Sequence, residues 1–453
     1  PGSMAGPYVV PAYRALGHVR LTNKTPCGTY RAPGRFESTF VRERLLDKTA
    51  SELGRDRLEV RRTNFIDKAD MPFVRGFATL ETELTYDSGD YAGLVEQTLA
   101  KLDIGDLRAE VERRRGNGEL VGLGYGFFVE KSGLGPAEGV RMSLGETGEV
   151  EIVTGSSSLG QGIETALAQI GAEGLGVAVE DVRVRHGQTN LIDHGMGSFA
   201  SRVTVMTGSA VHIAAQRLKQ KILKAASGLL QAEEDELDII DGRIRVARGG
   251  DMALAEVALA HRSSLPPAGR EEGGLSVEGW FETDHMNYPY GLHVAQVCLD
   301  RATGGVAVER FIIGYDVGRA VNPALIEGQL AGGAAQGIGG ALMETFVYNE
   351  AGEPLTASFV DYLIPTVTEM PPVEVYIFED APSPINPLAV KGAGEGGINA
   401  VGAAVASAID DALQQPGAIS ELPITPERVS ALVGGRGEWI VAARPNAARR
   451  SPN

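Results

Sequence analysis

Apolar positions along this chain recur at helical and strand spacings. Phe40, Leu45, Leu46, Ala50 and Leu53 lie on one helical stripe that Gly54 closes. Ile163, Leu167 and Ile170 form a second stripe, predicted to break at Gly174. Val211, Ala215, Leu218, Ile222 and Ala226 mark the clearest amphipathic helix, with Lys219, Lys221 and Lys224 mostly off the apolar side. Ile398, Val401, Val405, Ala408, Ile409 and Ala412 predict a small-residue helix suited to close packing. Strand patterns fall at 150–153, 182–184 and 244–246, and a hairpin runs from His293 to Ile313 around Arg301–Gly305. This alternation predicts an α+β fold of mixed helices and strands. The stretch 262–274, rich in Pro, Gly and charge, reads as a surface loop, and 442–453 as a fraying tail. Two glycine-rich units, near 155–175 and 392–414, suggest a loose strand–loop–helix echo.

A length of 453 residues is enough for two or three domains with a large core. The net charge of -17 argues against nucleic acid as a partner. No run approaches the ~18 apolar residues of a membrane span. The two cysteines, Cys27 and Cys298, can neither build a disulfide framework nor hold an iron–sulfur cluster, and read as reduced cytoplasmic thiols. Pro1-Gly2-Ser3 reads as an expression scar ahead of Met4. The 59 glycines exceed the usual ~7% and cluster, which points to tight turns and close backbone approaches.

Those clusters hold the candidate chemistry. TGSSSLGQGIET at 154–165 joins a strand to a helix through Gly155, Gly160 and Gly162. It suits either an anion at the helix end or an ordinary serine-capped turn. GMGSFASRVT at 195–204 offers the Ser198, Ser201 and Thr204 hydroxyls and Arg202, for a cap or for a ligand. GQLAGGAAQGIGGALM at 328–343 carries six glycines in an apolar helical stretch, each costing roughly 1 kcal/mol relative to Ala. Either close helix packing or a bulky cofactor beside Gln336 accounts for them. KGAGEGG at 391–397 isolates Glu395 among glycines before a helix whose N-terminus favours the ionised form; the residue is either a solvated cap or a general base. Arg31 and Arg35 in TPCGTYRAPGRFE, 25–37, are surface charges or an anion clamp. His186, His194 and His293 share no metal-ligand spacing.

Taken together, the segments resemble the molybdopterin-binding subunit of the xanthine dehydrogenase, aldehyde oxidoreductase and carbon monoxide dehydrogenase family. The resemblance runs from about Tyr13 to about Leu413 and rests on ordered motifs: YRAPGRFE at 30–37, YDSGDY at 86–91, GQGIET at 160–165, ASRVT at 200–204, DVGRAVNP at 316–323, QGIGGAL at 336–342 and SPINPLAVKGAGEGG at 383–397. It implies the remainder of a first molybdenum-cofactor domain over 4–115 and a second over 116–441. It implies Glu395 as catalytic base, and Arg31 and Ala32 near the metal's ligands. Gly160, Gln161, Gly162, Thr165, Ala200, Ser201, Arg202, Thr204, Gln336, Lys391 and Gly392 would hold the pyranopterin and its phosphates. Pro33 and Phe127 would meet substrate, and no side chain would ligate the metal directly. The implied reaction hydroxylates an aldehyde or N-heterocycle carbon with water-derived oxygen. The implied cofactor is molybdenum–molybdopterin in its cytosine dinucleotide form. [2Fe–2S] and FAD would sit on partner subunits, and a homodimer is compatible.

Two departures narrow this picture. The family's N-terminal region, with its GGGFG-type loop, has no counterpart here, so a separate chain or segment is expected to supply it. The alternative is a non-catalytic truncated homologue that does not bind cofactor alone. Where the carbon monoxide dehydrogenase branch places a cysteine, three residues before the loop arginine, this chain has Gly28, with Cys27 one residue earlier. A copper–molybdenum site is therefore not expected.

Overall fold

The computed structural model describes residues 4–79, 82–264 and 274–434. The expected N-terminal scar, residues 265–273 of the expected surface loop and the expected fraying tail lie outside the described residues.

Helices α1 (Arg35–Glu52) and α2 (Arg57–Asn64) open the chain, followed by a β1 (Phe73–Thr79) and β2 (Thr82–Tyr86) hairpin and helices α3 (Tyr91–Leu102) and α4 (Ile104–Gly116). Next come β3 (Leu120–Val129), β4 (Ala137–Leu144), β5 (Val150–Thr154), α5 (Ile163–Leu175), β6 (Val182–Arg185) and α6 (Gly208–Leu230). Strands β7 (Leu237–Ile240), β8 (Arg243–Val246) and β9 (Asp251–Ala253) form a small sheet before α7 (Leu254–Ser264). Strands β10 (Ser276–Glu282), β11 (Tyr290–Leu299) and β12 (Val306–Asp316) precede α8 (Pro323–Leu342). Strand β13 (Val373–Phe378), α9 (Val401–Leu413) and α10 (Pro426–Val433) complete the described fold.

Two four-stranded sheets organise these elements, in the orders β10-β4-β5-β6 and β13-β12-β11-β3. Helices α5 and α6 cover the first; the Val211, Ala215, Leu218, Ile222 and Ala226 stripe is fully buried there. The second sheet is covered on both faces, so its strands are apolar on both. Alternation along β3 sends Val121, Leu123, Tyr125 and Phe127 to one core, shared with Tyr8, Leu58, Leu94 and Ile312. It sends Gly122, Gly124 and Gly126 to the other face, against α9. A Cβ on Gly124 would lie 2.0 Å from the Ala404 carbonyl oxygen, so only glycine lets the helix lie on the strand backbone. The small-residue pattern predicted for α9 answers this strand.

Three expectations need correction. The α1 stripe buries Phe40 and Ala50, but Leu45 and Leu53 face solvent. The buried face carries Arg42, Glu43, Arg44 and Asp47, paired among themselves and with Arg61. A paired ionic cluster thus occupies the side that apolar spacing assigned to core. Helix α5 does not stop at Gly174: that glycine packs against Ala215, and the helix ends at Leu175 with Gly176 left-handed. The suggested echo fails too, because turns rather than a strand lead from 392 into α9.

The β3–α9 contact gives a paired prediction. Gly124→Ala should destabilise by at least ~1–3 kcal/mol through overpacking. Gly228→Ala, in α6 with open space around it, should stabilise by roughly 0.5–1 kcal/mol. Urea unfolding midpoints of the two variants should therefore move in opposite directions.

Candidate active site

Distant stretches of chain converge on the Glu395 carboxylate. The Ala32 backbone N–H donates to Oε1 at 3.1 Å, and Arg35 Nη2 donates to the same oxygen at 2.8 Å. The Ser201 hydroxyl donates to Oε2 at 2.9 Å. Glu395 is 9% exposed, so the carboxylate is held by three donors but not sealed. The donors come from bent backbone: Ala32 has φ 56, and Ala200 and Ser201 both have φ 49. Left-handed conformations cost non-glycine residues of order 1–3 kcal/mol each, and such strain is found where a side chain must be aimed.

The glycines of 391–397 let those stretches approach. A Cβ on Gly392 would meet the Ser201 carbonyl oxygen at 2.4 Å, one on Gly396 the Tyr315 ring at 2.4 Å, and one on Gly397 the Leu330 carbonyl oxygen of α8 at 2.2 Å. Gly333 and Gly337 of α8 pack in turn against Gly397 and Val401, whereas Gly328 and Gly332 face open space. Close packing therefore explains part of the α8 glycine run and leaves its first turns uncovered. Glu395 sits in turns ahead of α9, which begins at Val401. Its charge is met by Arg35 and Ala32, not by the α9 N-terminus as the sequence suggested.

Arg31 stitches this loop to α8. Its Nε donates to the Gly394 carbonyl at 2.6 Å, Nη1 to Gln336 Oε1 at 2.9 Å, and Nη2 to the Gln329 carbonyl at 2.9 Å. Arg31, Ala32, Ser201, Gln336, Gly392 and Glu395 thus form one connected patch. The 154–165 loop joins it indirectly, through the Ser198 hydroxyl on the Ser157 carbonyl. Gly160 and Thr165 are exposed there; Gly160 has open space around it, and Gln161 Oε1 accepts from the Leu159 N–H. Thr204 is half-buried in the irregular helical turn Val203–Thr207 that leads into α6.

Other expected site residues turn inward. The Arg202 guanidinium is fully buried on Glu138 and on the Leu134 and Ala137 carbonyls. Lys391 donates to the Ser88 carbonyl at 3.1 Å and lies over the Tyr290 ring. Phe127 is fully buried and packed on Phe65, Tyr91 and Tyr290, whereas Pro33 is exposed. His293 is buried between Phe128 and Phe311, and burial pushes its pKa down to about 3. Among the described residues no cluster of His, Cys, Asp or Glu is arranged to hold a metal ion.

Sequence reasoning missed Glu130. It follows the apolar strand β3 directly, is fully buried, and pairs with Arg35 Nε. The Asn399 side-chain amide bridges the Glu130 carboxylate and the Glu395 backbone carbonyl, and the Lys131 N–H donates to Glu130 at 2.8 Å. One guanidinium therefore serves two carboxylates. Burial pushes the Glu130 pKa up to about 7; Arg35 opposes the rise and Glu395 adds to it. An acid closing an otherwise apolar strand was the available signal.

Molybdopterin cofactor-binding domain models match residues 97–371 and 2–65. The chain belongs to the family of molybdenum-hydroxylase large subunits. It is 44% identical over 430 residues to the gamma subunit of the 6-hydroxypseudooxynicotine dehydrogenase complex of Paenarthrobacter nicotinovorans, covering 94% of this chain and 54% of that protein. The nicotine 6-hydroxylase large subunit of the same organism is 34% identical, with 94% and 53% covered. The crystal structure of quinoline 2-oxidoreductase from Pseudomonas putida 86 superposes with a TM-score of 0.83 at 31% identity, covering 96% of this chain and 56% of that one. The chain thus spans about half the length of the curated relatives it matches. Molybdenum–molybdopterin is the cofactor class of the matched domains. No helix among the described residues is long and apolar enough to cross a membrane.

The Arg35 bridge predicts a pH signature. Glu130 binds its proton more tightly folded than unfolded. Its contribution is therefore fully present below about pH 4.5 and is lost as pH rises through about 7. Glu130→Gln should flatten this decline, and denaturant titrations of both proteins between pH 4.5 and 7.5 check it. An equal slope in the two would contradict the assignment.

Proposed function

We propose that this chain forms the Glu395-bearing wall of a molybdenum hydroxylase active site, with Glu395 as general base. The observation that carries the reading is the carboxylate held by Ala32, Arg35 and Ser201 while remaining partly open. With Oε1 fixed by two donors, Oε2 is the oxygen left to take a proton from the attacking, water-derived oxygen. The Ser201 hydroxyl steadies it, and Arg35 and Ala32 hold the other oxygen in place.

The residues present suit an anionic pterin dinucleotide. Gly160 leaves its backbone N–H and open space just ahead of α5, Gly162 packs on Leu325, and Thr165 adds an exposed hydroxyl. Ala200, Ser201, Thr204 and Gly392 line the approach to Glu395, and Gln336 with Arg31 fixes its other side. In this reading Arg202, Lys391 and Phe127 act by holding loops rather than by touching ligand. The cofactor takes its cytosine dinucleotide form, and when bound its molybdenum supplies the two-electron redox step. Electrons leave through [2Fe–2S] and FAD partner subunits, in keeping with the relative that is the gamma subunit of a dehydrogenase complex.

The substrate class is an N-heteroaromatic ring, hydroxylated at an electron-poor carbon, because relatives are named for nicotine and quinoline. The chain alone should be silent, since it spans about half of those proteins. The test is co-expression with the complementary portion and the electron-transfer subunits, as wild type and as Glu395→Gln. Molybdenum content should be equal by mass spectrometry, while dye-linked hydroxylation of quinoline or nicotine falls at least ~10²-fold in the variant. Undiminished turnover in Glu395→Gln would remove Glu395 as base, and a folded complex without molybdenum would remove the reading altogether.

A further inference from the structure

Lysines withdrawn from the surface of this fold have acceptors, with one exception. Buried Lys391 donates to the Ser88 carbonyl and lies over the Tyr290 ring. Half-buried Lys221 donates to the Gly274 and Ser276 carbonyls at 2.9 and 3.0 Å, and half-buried Lys219 pairs with Asp238 at 2.5 Å. Lys131 is half-buried too, yet among the described residues its ammonium has neither a hydrogen bond nor an ion pair. Only its backbone N–H is bonded, to Glu130 at 2.8 Å. A charge partly removed from water without a partner is costly, and such groups concentrate at functional sites.

The residues on either side of Lys131 place it. Glu130 reaches Glu395 Oε1 through the shared Arg35 guanidinium. Fully buried Ser132 accepts the Gly392 N–H on its hydroxyl at 2.9 Å. Gly392 packs on Ser201, whose own hydroxyl donates to Glu395 Oε2. Lys131 thus stands between two residues tied to opposite oxygens of one carboxylate. Burial pushes its pKa below the ordinary lysine range, Arg35 adds to the fall, and Glu130 and Glu395 oppose it. Among the described residues no charge outside this cluster acts on the ammonium.

Charge balance and donor use then single out Lys131. Arg31, Arg35 and Lys131 face two carboxylates, Glu130 and Glu395, so one positive charge is unmatched in a chain of net charge -17. Arg31 is occupied by Gly394, Gln336 and Gln329, and Arg35 by the two carboxylates. The Lys131 ammonium, with three donors and no acceptor, is the cation left for a ligand.

We propose that Lys131 is a substrate-binding residue that sets specificity: it takes an oxygen acceptor (a hydroxyl, oxo or carboxylate group) carried by the heteroaromatic ring whose carbon faces Glu395. A charge-assisted hydrogen bond to that oxygen supplies the missing partner and fixes the ring's orientation. A bare ring leaves the ammonium unpaired and is the poorer substrate. The inference rests on the proposed active site, because Lys131 is read by its place beside Glu395.

The test uses the full chain assembled with its complementary portion and the electron-transfer subunits, as wild type, Lys131→Met and Lys131→Arg. Quinoline is compared with its 4-hydroxy, 6-hydroxy and 4-carboxylate derivatives. For the oxygen-bearing ring that binds tightest, Lys131→Met should raise KM about 10-fold or more, against less than about 3-fold for quinoline. Lys131→Arg, which keeps the charge, should recover most of that loss. A second readout needs no turnover: the same oxygen-bearing ring should slow acetylation of the Lys131 amine by acetic anhydride, followed by mass spectrometry, and quinoline should not. Equal losses for bare and oxygen-bearing rings, or a Lys131 amine that none of the derivatives protects, overturn the proposal. So does loss of molybdenum from Lys131→Met, which would put the ammonium on the cofactor instead. Oxygen-selective protection in a complex whose Glu395→Gln variant turns over undiminished would keep this inference and remove Glu395 as base. Turnover that needs Glu395 and ignores Lys131 would do the reverse.

Discussion

The site depends on one cation shared between two carboxylates. Arg35 stands at the first turn of α1, with Glu395 on Nη2 and buried Glu130 on Nε. Desolvating two carboxylates side by side is costly unless positive charge and hydrogen bonds compensate both. Arg35, Asn399, Ala32 and Ser201 provide that compensation and in doing so lock three parts of the fold together: the start of α1, the end of β3 and the turns before α9. A buried pair of this kind contributes little net stability but strongly penalises any arrangement that leaves a charge alone. Its effect is to make one geometry of the Glu395 loop the acceptable one.

Close backbone packing supplies the rigidity behind that geometry. Helix α9 rests directly on the glycine face of β3, α8 rests on Gly397, and Gly396 lies against the Tyr315 ring. Each contact is too tight for a Cβ, so the loop carrying Glu395 is packed closely on its neighbours. A base must reach its substrate from a rigid wall, and these contacts supply one.

Element type was readable wherever burial follows a simple period. Helix α6 follows its pattern because it packs one face on one core, and the β11–β12 hairpin because a short polar turn separates two apolar runs buried on both faces. The α1 stripe misled because its buried side holds an ion cluster, and apolar spacing says nothing about charges that neutralise one another in space. The burial of Phe127 and Arg202 was not legible in the sequence either. They sit in segments that resemble a ligand site, yet one ring and one guanidinium are consumed by the protein itself.

The sequence by itself determined the fold class, the family and the isolation of Glu395 among glycines, because each is a local pattern of residue types along the chain. Only the tertiary structure decided that Glu395 answers to Arg35 rather than to its own helix, and that Glu130 shares this arginine. Those facts concern residues hundreds of positions apart. Their partners, burial and charge balance exist only once the backbone has brought them within a few ångströms.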